Sequence, residues 1–206
     1  SWWVGGPGWW LWTFTTPQET AYVVEHQRGS AVVRSILGEA FEGMLVSDCL
    51  SSYDPIECAK HKCIAHHLRA IAEARKLPGM TEGRYLDQWT AFFHGVLILY
   101  KWRAELPPHV FVEKRQALEH WCDALLATPA GQTGDEAVRH RLLKQRPHLL
   151  GCLYNPAAEP TNNRAERSLR PAVIARKLSC GNKTERGRTT WQVLASLAAT
   201  AHQQGM

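Results

Sequence analysis

At Pro78 the chain changes its period, and this change limits the folds open to it. Before Pro78, apolar residues come in short β-branched and aromatic runs cut by turns; from about residue 78 to 155 they recur at three- and four-residue spacing. The first pattern suits strands and the second suits helices, so a sheet-bearing part and a helical part must be joined in one chain. "WWVGGPGWWLWTFTT" has the form of a β-hairpin about a glycine-rich turn. "TPQET" makes a second turn and "AYVVEH" a third strand, together a small antiparallel meander. "RGSAVVRSILGEAFE" shifts to helical spacing, with Ser30 as N-cap and Val32, Val33, Ile36, Leu37 and Phe41 along one face. "GMLVSD" is a short buried strand that ends on Asp48; "SSYDPIEC" is a turn or short helix, "HKCIAH" a further strand and "LRAIAEARKL" a helix.

The order β-β-β-α-β-α-β-α predicts an α/β fold, three antiparallel strands followed by parallel ones, with helices packed on the sheet. "YLDQWTAFFHGVLILYKWRAEL", "VFVEKRQALEHWCDALLAT" and "DEAVRHRLLKQRPHLLGCLY" predict an all-helical insertion over about 78–155 whose core holds Trp89, Trp102 and Trp121. A last helix from about Thr184 to Gln203 would lay Val193, Leu194, Leu197, Ala198 and Ala201 along one side.

The net charge of +5 is concentrated in one segment. From Thr161 to Arg188 there are eight basic and two acidic residues, a balance of +6, which leaves 16 basic and 17 acidic residues, or −1, for the rest. A local cation surplus of this kind suits a phosphate backbone. The longest apolar run, Phe92 to Tyr100, is too short to span a bilayer. Beginning at "SWWV" without a basic leader, the chain is expected to be the middle of a longer, unexported product. Its six scattered cysteines are then expected to be reduced thiols in a cytoplasm.

Two carboxylates stand out, each with two readings. Asp48 closes an apolar strand, where it can cap the turn that follows or hold a cation. Glu166, in "PTNNRAERSLRP", can complete a capping box with Asn163 and pair with Arg170, or serve as a metal ligand among arginines. Together they point to phosphodiester chemistry, in which hard divalent cations are held by several carboxylate oxygens. Arg164, Arg167, Arg170, Arg176, Lys177 and Lys183 are the expected backbone-gripping cations. Cys58, His61, Cys63, His66 and His67 offer zinc-ligand chemistry but match no strong finger spacing, so Cys63 and His66 are expected to line the site. The tryptophans at 2, 3, 9, 10 and 12 serve either as a hairpin core or as a base-stacking surface. There is no P-loop, dinucleotide fingerprint or nucleophile elbow.

Three stretches, "GMLVSDCLSSYDPIEC", "HKCIAHHLRAIAEAR" and above all "PTNNRAERSLRPAVIARKLSCGNKTERG", resemble the IS66 family of bacterial insertion-sequence transposases over nearly the whole chain. The resemblance implies a ribonuclease-H-like core with an Asp-Asp-Glu triad on two magnesium ions, which manganese can replace. In it Asp48 matches the second aspartate, Glu166 the glutamate, and Cys63 with His66 a Cys-x-x-His signature. It further implies transposon-end and target DNA as partners, a homo-oligomer as the active assembly, accessory proteins of the same element, and a nucleoid-associated location. The family's first aspartate would lie just before "SWWV", and no aspartate precedes Asp48 here. The expectation is therefore a marginal first strand and no DNA cleavage by this piece alone. The competing expectation is a noncatalytic DNA-binding or assembly module of a decayed element.

Overall fold

The computed structural model describes residues 1–38, 41–81 and 83–206. The chain forms two compact units. A hairpin unit comprises Ser1–Ala40, Ser51–Ile56 and Asn163–Met206, and a helical unit comprises Phe41–Leu50 and Glu57–Asn162. No helix among the described residues is long and apolar enough to cross a membrane.

In the hairpin unit, β1 (Trp10–Thr15) and β2 (Thr20–Glu25) pair antiparallel, from Trp10 opposite Glu25 to Thr15 opposite Thr20. The Thr16 hydroxyl tightens the connecting turn by accepting from the amides of Gln18 and Glu19. The first predicted strand is present only as two isolated bridges, Trp2 to Trp9 and Val4 to Asn182, so the sheet has two strands where three were expected. The run is nevertheless pinned. Asn182 donates to the Trp3 carbonyl at 2.8 Å, receives from Gly5 at 2.9 Å, and takes the Trp2 indole N–H on its side chain at 2.8 Å. Gly181 makes this approach feasible: its φ is +104°, and a Cβ there would meet the Trp3 carbonyl oxygen at 2.3 Å.

Alternation sends Trp2, Val4, Trp9, Tyr22 and Val24 into one cluster with Ala172, against which Leu11, Trp191, Ala195 and Ala199 pack. Trp12 is also buried, edge-on to Tyr53, whereas Trp10 is half-buried under the Arg28 guanidinium and Trp3 is exposed. Helix α1 (Ser30–Leu37) is shorter than its spacing suggested. It begins after Gly29 and stops at Gly38, whose φ of +81° turns its N–H back to the Arg34 carbonyl. Phe41 therefore does not belong to the α1 face, and Glu39 and Ala40 of the predicted helix lie outside the described residues.

Helices α7 (Asn163–Ser179) and α8 (Glu185–Gln203) complete this unit. Thr184 caps α8, its hydroxyl accepting from the Gly187 amide at 3.1 Å. The aliphatic side expected from the spacing is the outer one: Val193, Leu194 and Leu197 are all exposed. The inner face carries a polar stripe that meets the free edge of β2, beside Trp191, Ala195 and Ala199 packed on the aromatic cluster. Gln192, Ser196 and Thr200 accept from the amides of Val24, Tyr22 and Thr20 at 3.2, 2.9 and 3.1 Å, and Arg188 donates to the Val24 carbonyl at 2.6 Å. Four helical residues rise about 6 Å and two strand residues about 6.7 Å, so side chains spaced by four match alternate strand amides.

In the helical unit, β3 (Met44–Ser47) and β4 (Ala59–Lys62) pair in parallel, Met44 opposite Ala59 and Ser47 opposite Lys62. Parallel strands need a crossover, supplied by the chain between them. The predicted strand "HKCIAH" ends at Lys62, and α2 (Ile64–Ala74) begins at Ile64. Then follow α3 (Arg84–Trp102), α4 (Pro108–Ala127), α5 (Thr133–Gln145) and the short α6 (Gly151–Tyr154). Their shared core is centred on Trp89, Phe92, Phe93 and Val96, with Met44 and Val46 of β3 packed against it. Trp102 is half exposed at the end of α3, so it lies outside the core assigned to it from spacing.

Replacing Ser196 with Ala should leave the Tyr22 amide without its acceptor and destabilise the hairpin unit by about 1–3 kcal/mol. Chemical denaturation measures the loss. Faster hydrogen exchange at Tyr22 than at Val23 would locate it.

Candidate functional site

The carboxyl end of the β3–β4 pair collects the chemically distinctive side chains of the helical unit. Asp48 follows β3 directly and is half-buried. Its Oδ1 accepts from the Leu50 amide at 2.9 Å, so the turn-capping reading holds, through Leu50 and not through the serines beyond it. Among the described residues nothing else takes its second carboxylate oxygen. Beside it, Lys62 at the end of β4 is fully buried and donates from Nζ to the Ser47 hydroxyl at 3.3 Å. That hydroxyl in turn donates to the Asp48 carbonyl at 2.9 Å, which fixes the backbone under the carboxylate.

Cys63 is fully buried, and its Sγ accepts from the Asn162 amide at 3.1 Å. The neighbouring Ile64 amide donates to the Pro160 carbonyl at 3.0 Å. The loop ahead of α7 is thus fastened to the start of α2. His66 is not buried and stands 3.1 Å from the Arg69 guanidinium. His67 is buried, stacked on Phe93, with Nε2 3.7 Å from the Cys49 sulfur. His61 is buried with Nε2 3.1 Å from the Pro160 carbonyl. Among the described residues no three His, Cys, Asp or Glu side chains are grouped to hold a metal ion.

Burial lowers the pKa of His67 to about 3, with the nearby Arg141 charge adding to it. Burial likewise lowers that of His61 to about 4, against the opposing Pro160 hydrogen bond. Both rings are therefore neutral wherever the protein is folded near neutrality.

Glu166 belongs to the hairpin unit, exposed in the first turn of α7, where the positive end of the helix dipole favours a carboxylate. Asn163 is already helical, one position inside the cap that a capping box requires. Pro171 sits within α7 and removes one amide from its ladder. Of the six cations expected to grip a backbone, Arg167, Arg170, Lys177 and Lys183 are exposed and Arg164 is half-buried. Arg176 is tied to its own chain, donating to the Ser1 carbonyl at 2.9 Å. Arg188, counted in the basic segment, serves the β2 edge and covers the Trp9 ring at 4.9 Å. The sequence reading missed Lys62, whose only local signal was its place between His61 and Cys63.

The model of the transposase IS66 family matches residues 5–190. The chain belongs to that family. It is also 28% identical over 233 residues to the uncharacterized protein y4qI of Sinorhizobium fredii, in a match that covers 96% of this chain and 41% of the relative. The chain therefore spans less than half the length of that relative. No solved structure matches it.

Because His61 and His67 take up protons only on unfolding, their stabilisation is complete above the unfolded value near 6.5 and is lost as pH falls toward 4. Each contributes a slope of about 1.4 kcal/mol per pH unit across that window. Urea midpoints should drop between pH 7 and pH 5, and His67→Phe should flatten the drop by about half.

Proposed function

We propose that the chain is the catalytic portion of a DNA transposase with a ribonuclease-H-like core. The observation that carries this reading is Asp48, a half-buried carboxylate at the carboxyl end of a parallel strand, anchored on one oxygen by the Leu50 amide. Open α/β sheets place their ligands at that end. Two further observations support it. The loop fastened to Cys63 ends four residues before Glu166, and Arg167, Arg170 and Lys177 of α7, with Lys183 in the loop after it, are exposed.

In this reading Asp48 and Glu166, both oxygen donors, hold divalent magnesium or manganese. When bound, the metal activates the attacking oxygen and stabilises the leaving one. The side chains of the protein do the rest. Lys62 and Ser47 hold the Asp48 backbone, while the α7 cations position the phosphate backbone without reading bases. The substrates are transposon-end and target DNA, and the reactions are hydrolysis to a 3′ hydroxyl followed by its attack on the target. Assembly as a homo-oligomer, with accessory proteins of the same element, belongs to the same proposal. A second reading, a noncatalytic DNA-binding or assembly module, would use the exposed Arg167, Arg170, Lys177 and Lys183 without a metal site.

Manganese binding, read by paramagnetic broadening, should weaken by about tenfold or more in both Asp48→Asn and Glu166→Gln. Magnesium-dependent strand cleavage of transposon-end DNA, with an aspartate-bearing segment supplied upstream, should vanish in both variants. Cleavage that survives either substitution, or manganese binding that ignores both, would leave only the noncatalytic reading.

A further inference from the structure

Helices α3 and α4 form a hairpin joined by residues 103–107, and between them lies an apolar cavity of about 450 Å³. One wall is Gly95, Ile98, Leu99 and Trp102 of α3, and the other is Lys114, Ala117, Leu118 and Trp121 of α4. Each wall repeats at i, i+3, i+4 and i+7, so the cavity is a groove two helical turns, or about 10 Å, long. Leu99 and Leu118 are buried at its floor, whereas Ile98 and Trp102 are 60% and 50% exposed. Trp102, absent from the core, thus has its place on a groove wall. Gly95 lies against Leu118, whose side chain a Cβ would meet at 3.3 Å. Lys114, one turn before Leu118, therefore lies toward the Trp102 end of this antiparallel pair. It is the one charged residue on the lining among the described residues. Lys101 adds a second ammonium at that end, 5.8 Å from the Trp102 ring centroid. Among the described residues neither lysine is paired with a carboxylate, and the neighbouring Glu105 and Glu113 do not line the groove.

We propose that this groove receives an amphipathic helix of a partner protein, with aliphatic or aromatic anchors seated between α3 and α4 and an acidic side chain paired with Lys114. A helix presents anchors at i, i+4 and i+7, the repeat of both walls. Two ammoniums at one end attract an acid there and repel a basic partner, so charge sets both the orientation and the choice of partner. Every residue of the groove lies in the helical unit, and the proposal does not rest on the Asp48 reading.

The test is fluorescence anisotropy of a labelled synthetic helix added to the whole chain. The helix carries Leu, Trp and Leu at i, i+4 and i+7 with glutamates beside them, and a twin carries lysines in place of the glutamates. The acidic helix should bind, and the basic twin should bind more weakly by about tenfold or more. Lys114→Glu should weaken the acidic helix by about tenfold and favour the twin, and Ile98→Ser should weaken the acidic helix several-fold. Both residues are exposed, so neither change threatens the fold. Equal binding of the two helices removes the charge match; binding that ignores both variants, or no binding at all, removes the groove. Each of these results overturns the proposal. Sedimentation of the chain alone should show no dimer that Ile98→Ser dissolves. Such a dimer would make the occupant a second copy of this chain and overturn the partner helix.

Discussion

The hairpin unit depends on how the free edge of β2 is satisfied. A two-stranded sheet leaves a row of amides and carbonyls unpaired along each outer side, and burying them without partners is costly. Here α8 stands in for a third strand. Gln192, Ser196 and Thr200 receive the three outward amides of β2, and Arg188 serves the Val24 carbonyl. The helix thereby satisfies the strand edge while Trp191, Ala195 and Ala199 pack on the aromatic cluster. Because the inward side of α8 is committed to hydrogen bonding, its large aliphatic residues are left on the outside.

That commitment marks a limit of the sequence reading. Apolar periodicity located α8 to within a residue at each end and aligned its aliphatic residues on one side, without showing that this side faces outward. It had no means of recognising a polar stripe at 188, 192, 196 and 200 as the interior one. The same limit explains Trp102, whose spacing suits a core although its position at the end of α3 half exposes it. The first strand went wrong differently: the pattern was right, but pairing yields only bridges where the Asn182 loop holds the backbone.

The candidate site was more legible. Asp48 was found because a carboxylate that closes an apolar run is unusual, and the structure places it at the end of a parallel strand as expected. Glu166 and its neighbouring cations were visible from local charge, and α7 does carry them at its amino-terminal end. Lys62 was not visible, because its proximity to Asp48 comes from strand register, which no local pattern encodes. His61 and His67 were read only as zinc-ligand chemistry, whereas their burial makes the helical unit sensitive to acid.

The edge contacts between β2 and α8 join residues 168 to 180 positions apart. On a translating ribosome, β2 would emerge on the order of ten to thirty seconds before its partner helix. Throughout that interval the nascent hairpin, rich in tryptophan and with an unoccupied rim, is a template for pairing with other chains. Early chaperone capture would therefore matter more to the yield of this protein than the final stability of either unit.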